Sequence, residues 1–226
     1  MENVMKYEII GGDMPLLLCH LDDGEAMSCE SGAMGWQKGE FTVKTNAGKS
    51  LTKMLSRAIS GESVIQNEYI AKGSSTIAFP AEFSGSIVAA DVTEKSIVIC
   101  KNAFLCSESS VSSELFWQKN LSPDMFGAEG FILLKFSGSG NVFFEIDGTA
   151  VEYELAENES LNVSAGHLAA MSETCRIEIE AVRGMGNKAF GVRGLFTMNI
   201  KGPGHVWLQS MPRTRILYSL NNLSNT

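Results

Sequence analysis

Short apolar runs punctuated by turn residues dominate the chain. Phe131-Ile132-Leu133-Leu134-Lys135-Phe136, Val142-Phe143-Phe144-Glu145-Ile146 and Ser96-Ile97-Val98-Ile99-Cys100 are rich in β-branched and aromatic residues and bounded by Gly, Ser, Asn or Asp. Such residues suit a pleated, half-buried surface, so the pattern predicts strands joined by tight turns. Many short strands with glycine-rich connections predict a sandwich or barrel. One stretch departs from this pattern: between Ser50 and Ser60, Leu51, Met54, Leu55, Ala58 and Ile59 recur at helical spacing. Ser50 suits the N-cap and Gly61 the stop, so a short amphipathic helix is expected there. A second short helical or irregular piece is expected near Ser113-Glu114-Leu115-Phe116-Trp117-Gln118, ended by Pro123.

The strands recur in units. Phe131 to Phe136, the turn Ser137-Gly138-Ser139-Gly140 and Asn141 to Ile146 match Leu195 to Ile200, Lys201-Gly202-Pro203-Gly204 and His205 to Gln209 at an offset of 64 residues. The preceding Phe126-Gly127-Ala128-Glu129-Gly130 and Phe190-Gly191-Val192-Arg193-Gly194 keep that offset. Fainter copies lie at Tyr7 to Leu18 around Gly11-Gly12, and at Gln66 to Phe79 around Gly73. A second unit, strand then tight turn then strand, appears at Gly24 to Trp36, Lys95 to Cys106 and Glu159 to Met171. The three copies of this second unit, about 65–70 residues apart, predict three similar β-modules around a pseudo-threefold axis. The expected organisation is all-β: one body of repeats near 1–60, 61–125 and 126–217, with a tail at 218–226.

Composition narrows the class. The 226 residues are 44 % hydrophobic and 19 % charged with 22 glycines, which excludes a disordered chain, a coiled coil and a collagen. The formal charge of −8 disfavours nucleic acid, whose binding draws on a basic face. No apolar run approaches the ~18–20 residues needed to span a bilayer, so no transmembrane segment is expected. The start Met1-Glu2-Asn3-Val4-Met5-Lys6-Tyr7 lacks the basic and apolar regions of a signal peptide. Five cysteines without a Cys-x-x-Cys pair read as reduced, buried thiols, and a cytoplasmic location is expected.

Candidate chemistry is sparse. His20, His167 and His205 fall in different repeats with no His-x-His pair, so no metal site is expected. Gly61-Glu62-Ser63 and Ser84-Gly85-Ser86 do not form a nucleophile elbow, and Gly138/Gly140 and Gly202/Gly204 lack the Lys-Ser/Thr of a phosphate loop. No catalytic residue and no cofactor is assigned. Between Asn141 and Glu180 nine acids meet one arginine, Arg176, which reads as a solvated sheet face or a partner surface. Phe41 to Gly61 carries Lys44, Lys49, Lys53 and Arg57 with no acid. The candidate interface is therefore the basic helix, with Lys49, Lys53, Leu55 and Arg57, packed on its own β-core or against an acidic module of a neighbouring subunit, with an anionic membrane surface as the alternative.

With these motifs in place, the chain resembles the family named in fungi for altered inheritance of mitochondria, the twenty-fourth protein of that series. The resemblance rests on Met5 to Pro15, Glu30-Ser31-Gly32-Ala33-Met34-Gly35-Trp36, Leu55 to Glu68, Phe126 to Gly130, Ser137 to Gly140, Gly166-His167-Leu168 and Gly202-Pro203-Gly204. It implies a fold similar to the tryptophan RNA-binding attenuator protein, a short double-stranded β-helix. It further implies three such modules per chain and a homotrimer that closes a nine-module ring. It transfers no catalytic residue. The expected function is therefore a non-enzymatic structural or interaction protein, with a binder of a small ligand between modules as the alternative.

Overall fold

The computed structural model describes residues 5–45, 67–116, 132–179 and 197–213. Its elements there are seventeen strands and two single-turn 3-10 helices, as the alternation of apolar and turn residues predicts. The helix expected at Ser50 to Ser60, the Phe126 and Phe190 segments and the tail at 218–226 lie outside the described residues. One helical expectation is corrected: Ser113-Glu114-Leu115 belong to a strand, Val111–Leu115. There Val111 and Ser113 are buried while Ser112 and Glu114 are exposed, the period of two that a strand edge imposes.

In chain order the strands are β1 (Lys6–Ile10), β2 (Leu16–Leu21), β3 (Ala26–Cys29), β4 (Trp36–Thr45), β5 (Asn67–Pro80) and β6 (Gly85–Asp91). Then follow β7 (Ile97–Cys100), β8 (Phe104–Glu108), β9 (Val111–Leu115), β10 (Leu133–Gly138), β11 (Asn141–Asp147) and β12 (Ala150–Leu155). The last are β13 (Ser160–Ser164), β14 (Leu168–Ser172), β15 (Arg176–Ile179), β16 (Thr197–Lys201) and β17 (Gly204–Gln209). All pair antiparallel, in an eight-stranded sheet β1-β2-β5-β3-β8-β11-β6 with β4 on β5, a six-stranded sheet β12-β17-β14-β7-β10-β9, and a three-stranded sheet β13-β16-β15.

The strand-turn-strand units of the 64-residue repeat, β10 with β11 and β16 with β17, are not hairpins: each turn sends its two strands into different sheets. Gly138 and Gly140 between the first pair take φ of 125° and 118°, a region that L side chains avoid, so glycine is required for the turn. The tight turns of the second unit behave likewise. At Lys101–Ala103 and Ala165–His167 a single 3-10 turn sends the two flanking strands into different sheets instead of pairing them. Around Gly73 the expected strand-turn-strand is one continuous 14-residue strand, β5.

The strands of 85–147 and of 150–209 pair alike. β11 lies between β6 and β8, and β10 between β7 and β9. In the same way β17 lies between β12 and β14, and β16 between β13 and β15. β5 does both jobs in the first third: its second half pairs β2 and the start of β4, and its first half pairs β3 and the end of β4. Register breaks in β4 between Lys38 and Glu40, where Gly39 sits at φ 101° against Ser75 and lets one strand serve two partners.

Two cores result, and β11 separates them. Phe143 packs with Leu17, Cys19, Ile77, Phe79 and Leu105, whereas Val142, Phe144 and Ile146 pack with Leu134, Phe136, Ala170 and Val206. Adjacent residues of a strand face opposite ways, so a central strand that is apolar on both faces supplies both cores. Each fully buried Phe contributes ~1.5–3 kcal/mol from the apolar area it removes from water.

Candidate functional site

Covalent connections between successive thirds of the chain are short, and two strand pairings do the joining. β3 pairs β8 with Met27 opposite Glu108, Ser28 opposite Ser107 and Cys29 opposite Cys106. β7 pairs β14 with Ile97 opposite Ser172, Val98 opposite Met171 and Ile99 opposite Ala170. All these strands are largely buried.

Two strands of the same kind have one side without a partner strand among the described residues. β13 pairs only β16, and the first half of β4 pairs only β5. Their burial differs accordingly: residues Trp36 to Glu40 are all exposed, and β13 buries only Val163. Trp36 is 53 % exposed; beside β13, Val151 and Tyr153 of β12 are 41 % and 44 % exposed. Val151, Tyr153, Val163 and Leu208 line an open groove of about 330 Å3 there. Unpaired backbone and large apolar side chains in one place mark an edge that another strand covers.

The acidic stretch is largely neutralised by cations distant in sequence. Arg213, just past β17, donates from Nη1 to Glu82, from Nη2 to Glu145 Oε2 at 2.6 Å and from Nε to Asp147 Oδ2 at 2.8 Å, and stacks over Phe83 at 5.2 Å. Lys135 pairs Glu114 and Glu173, Lys201 pairs Glu178, and His205 bonds Glu152. Burial pushes the Glu145 carboxyl up to about 7, against the pull of Arg213 and the backbone N–H of Glu82 and with the push of Asp147 and Glu82. A cavity of about 470 Å3 beside this cluster is lined by Glu30, Lys101, Glu82, Glu145, Arg213 and Asn102. Its charged groups are paired, Glu30 with Lys101 at 3.0 Å and the acids with Arg213.

The histidines stand apart. His20 bonds Glu8, His167 donates from Nδ1 to the Gln209 carbonyl at 2.7 Å, and His205 stacks on Trp207. The five cysteines are free and buried; burial raises Cys29 and Cys100 to about 12, which keeps them as unreactive thiols at neutral pH. Among the described residues no helix is long and apolar enough to cross a membrane.

The interface residues named from sequence, Lys49, Lys53, Leu55 and Arg57, lie outside the described residues. Sequence reasoning missed Trp36, Val151 and Tyr153. A usable signal was present in Val151-Glu152-Tyr153-Glu154-Leu155, whose alternation gives one apolar face in need of a cover. Arg213 had no comparable signal, since its partners lie 66 to 131 residues away.

The fold has a solved counterpart. A crystal structure of a Streptococcus pyogenes protein superposes with a TM-score of 0.79 at 20 % identity, covering 97 % of this chain and 99 % of that one. An uncharacterized protein of Streptococcus pyogenes serotype M6 is 22 % identical over 219 residues, 93 % of this chain and 87 % of its own length. The family described as mitochondrial biogenesis AIM24 matches residues 7–211, nearly the whole span of described strands, and the chain belongs to that family.

Proposed function

We propose that the protein is a non-enzymatic structural protein that assembles head to tail as a homotrimer into a closed ring. The observation that carries this reading is the pair of open edges, the first half of β4 and β13, at places where the rest of the chain uses the same strands as buried joints. A subunit with one unfilled head and one unfilled tail makes heterologous contacts, and such contacts close into rings when the rotation permits. The chain then consists of three modules about a pseudo-threefold axis. Drawn by strand pairing, they span about 16–80, 85–147 and 150–209. The number of copies, three, follows the family resemblance. The five buried free thiols fit a reducing compartment, which supports a cytoplasmic location.

Native mass by light scattering on a sizing column tests the reading. A mass near three times 24.5 kDa is expected. A chain that stays monomeric at every concentration refutes it. The second reading, a binder of small ligands between modules, is favoured by the cavity at Glu30, Lys101 and Glu145. A thermal-shift screen in which one ligand class raises Tm, with a response abolished by Lys101→Ala, would support that reading; no response from any class counts against it.

A further inference from the structure

We infer that the ring joint is an antiparallel pairing of β4 of one copy with β13 of the next, with Trp36 opposite Val163, Gln37 opposite Asn162 and Lys38 opposite Leu161, and Trp36 seated in the groove of Val151 and Tyr153. This assignment rests on the ring reading and adds the register and the residues.

The register follows from the two joints the chain already contains. Ile97, Val98 and Ile99 of β7 face β14, and 64 residues later Leu161, Asn162 and Val163 hold the same places in β13. On the other side Cys106, Ser107 and Glu108 of β8 face β3. Ser107 also faces Val142, which faces Ala90; Gln37 faces Ile77, which faces Cys19. Cys19, Ala90 and Tyr153 each stand two residues before a buried apolar residue, Leu21, Val92 and Leu155, so Gln37 holds in β4 the place of Ser107 in β8 and Trp36 that of Cys106. Ser28 opposite Ser107 and Val98 opposite Met171 then translate to Asn162 opposite Gln37, and Cys29 opposite Cys106 to Val163 opposite Trp36.

The side chains agree with the backbone. In the first joint Leu105 and Cys106 share a core with Leu17, Cys19 and Cys29, and Leu17 and Cys19 are fully buried. The same places in the last third are Val151, Tyr153 and Val163, and the first two are exposed. Cys106 is fully buried, whereas Trp36, which holds its place in β4, is 53 % exposed. A large apolar side chain without a pocket stands at the head, and an apolar groove without a side chain at the tail. The occupant is a second copy because each chain supplies one head and one tail of a joint it forms twice internally.

Complementation of two variants tests the joint. Trp36→Asp spoils the head and leaves the tail; Tyr153→Asp spoils the tail and leaves the head. Each variant alone is expected to run at 24.5 kDa, and an equimolar mixture at twice that mass, because one intact head meets one intact tail. If either variant keeps the wild-type oligomer mass, or if the mixture stays monomeric, the joint is wrong while an oligomeric wild type leaves the ring reading standing. A monomeric wild type overturns both. Should a variant lack a cooperative unfolding transition, the double variant Gln37→Cys/Asn162→Cys decides. Directly opposed residues lie ~4.5–5.5 Å apart at Cβ, close enough for a disulfide. Mild oxidation by diamide is then expected to give covalent dimers and trimers under denaturing electrophoresis, against none for either single variant. Absence of that ladder overturns the register.

Discussion

Replacing Glu145 by Gln probes the buried charge cluster, and its effect depends on pH in a way that follows from the structure. Glu145 is 7 % exposed, lies against Arg213 and Asp147, and accepts from the Glu82 backbone N–H. In the folded chain it keeps its proton up to about pH 7, against an ordinary value of 4.5. Between those values the folded state binds more protons than the unfolded state. Stability therefore falls as pH rises from about 4.5 to about 7 and is flat above. The displacement of the carboxyl corresponds to about 3 kcal/mol. Gln has the same shape and still accepts from Arg213 and the Glu82 N–H, but carries no charge to desolvate. The variant is expected to match wild type near pH 4.5 and to exceed it by up to about 3 kcal/mol at pH 8, some 5–10 °C in Tm for a chain of this size. Urea unfolding at fixed protein concentration, run at half-unit steps of pH, measures the difference. Parallel curves for the two proteins, or a Gln variant weaker than wild type at pH 8, would refute the account of Glu145 as a buried acid held above its ordinary range.

Four further outcomes are expected. Arg213→Ala leaves Asp147 and Glu145 buried without their cation, so it is expected to cost about 3–5 kcal/mol at pH 8 and less at pH 5, read by the same titration. Phe143→Ala empties the side of β11 that faces Leu17, Ile77 and Phe79, and a loss of about 3–5 kcal/mol in denaturant unfolding is expected. Ser107 Oγ is buried with no hydrogen-bond partner among the described residues, so Ser107→Ala is expected to raise stability by about 1 kcal/mol; a loss of similar size would show that the hydroxyl is satisfied. Native protein is expected to react with a thiol reagent such as DTNB far more slowly than denatured protein, which releases five equivalents; rapid native reaction would contradict the burial of the cysteines.

The chain's strands and turns were legible in advance because they depend on neighbours in sequence. The run Val142 to Ile146 lies inside β11, Ser96 to Cys100 covers β7, and the two glycine turns of the 64-residue repeat join β10 to β11 and β16 to β17, although the joined strands pair in different sheets and form no hairpin. Local reading failed at Ser113 to Leu115, where helical content was expected. The apolar residues there fit either period, and pairing with β10 decides for a strand. It failed again at Gly73, which marks a turn by composition and sits inside a continuous strand because β2, β3 and β4 hold β5 on both sides.

Alternation, turn chemistry and repetition, all properties of residues within a few positions of one another, determined that this protein is built of antiparallel strands and where most of them lie. Tertiary structure alone decided which sheet each strand joins, that Arg213 gathers Glu82, Glu145 and Asp147, and that β4 and β13 keep an unfilled edge. Those outcomes depend on contacts between residues 60 to 130 positions apart, whose free energy comes from burial and charge pairing after the chain has closed, and no local pattern encodes them.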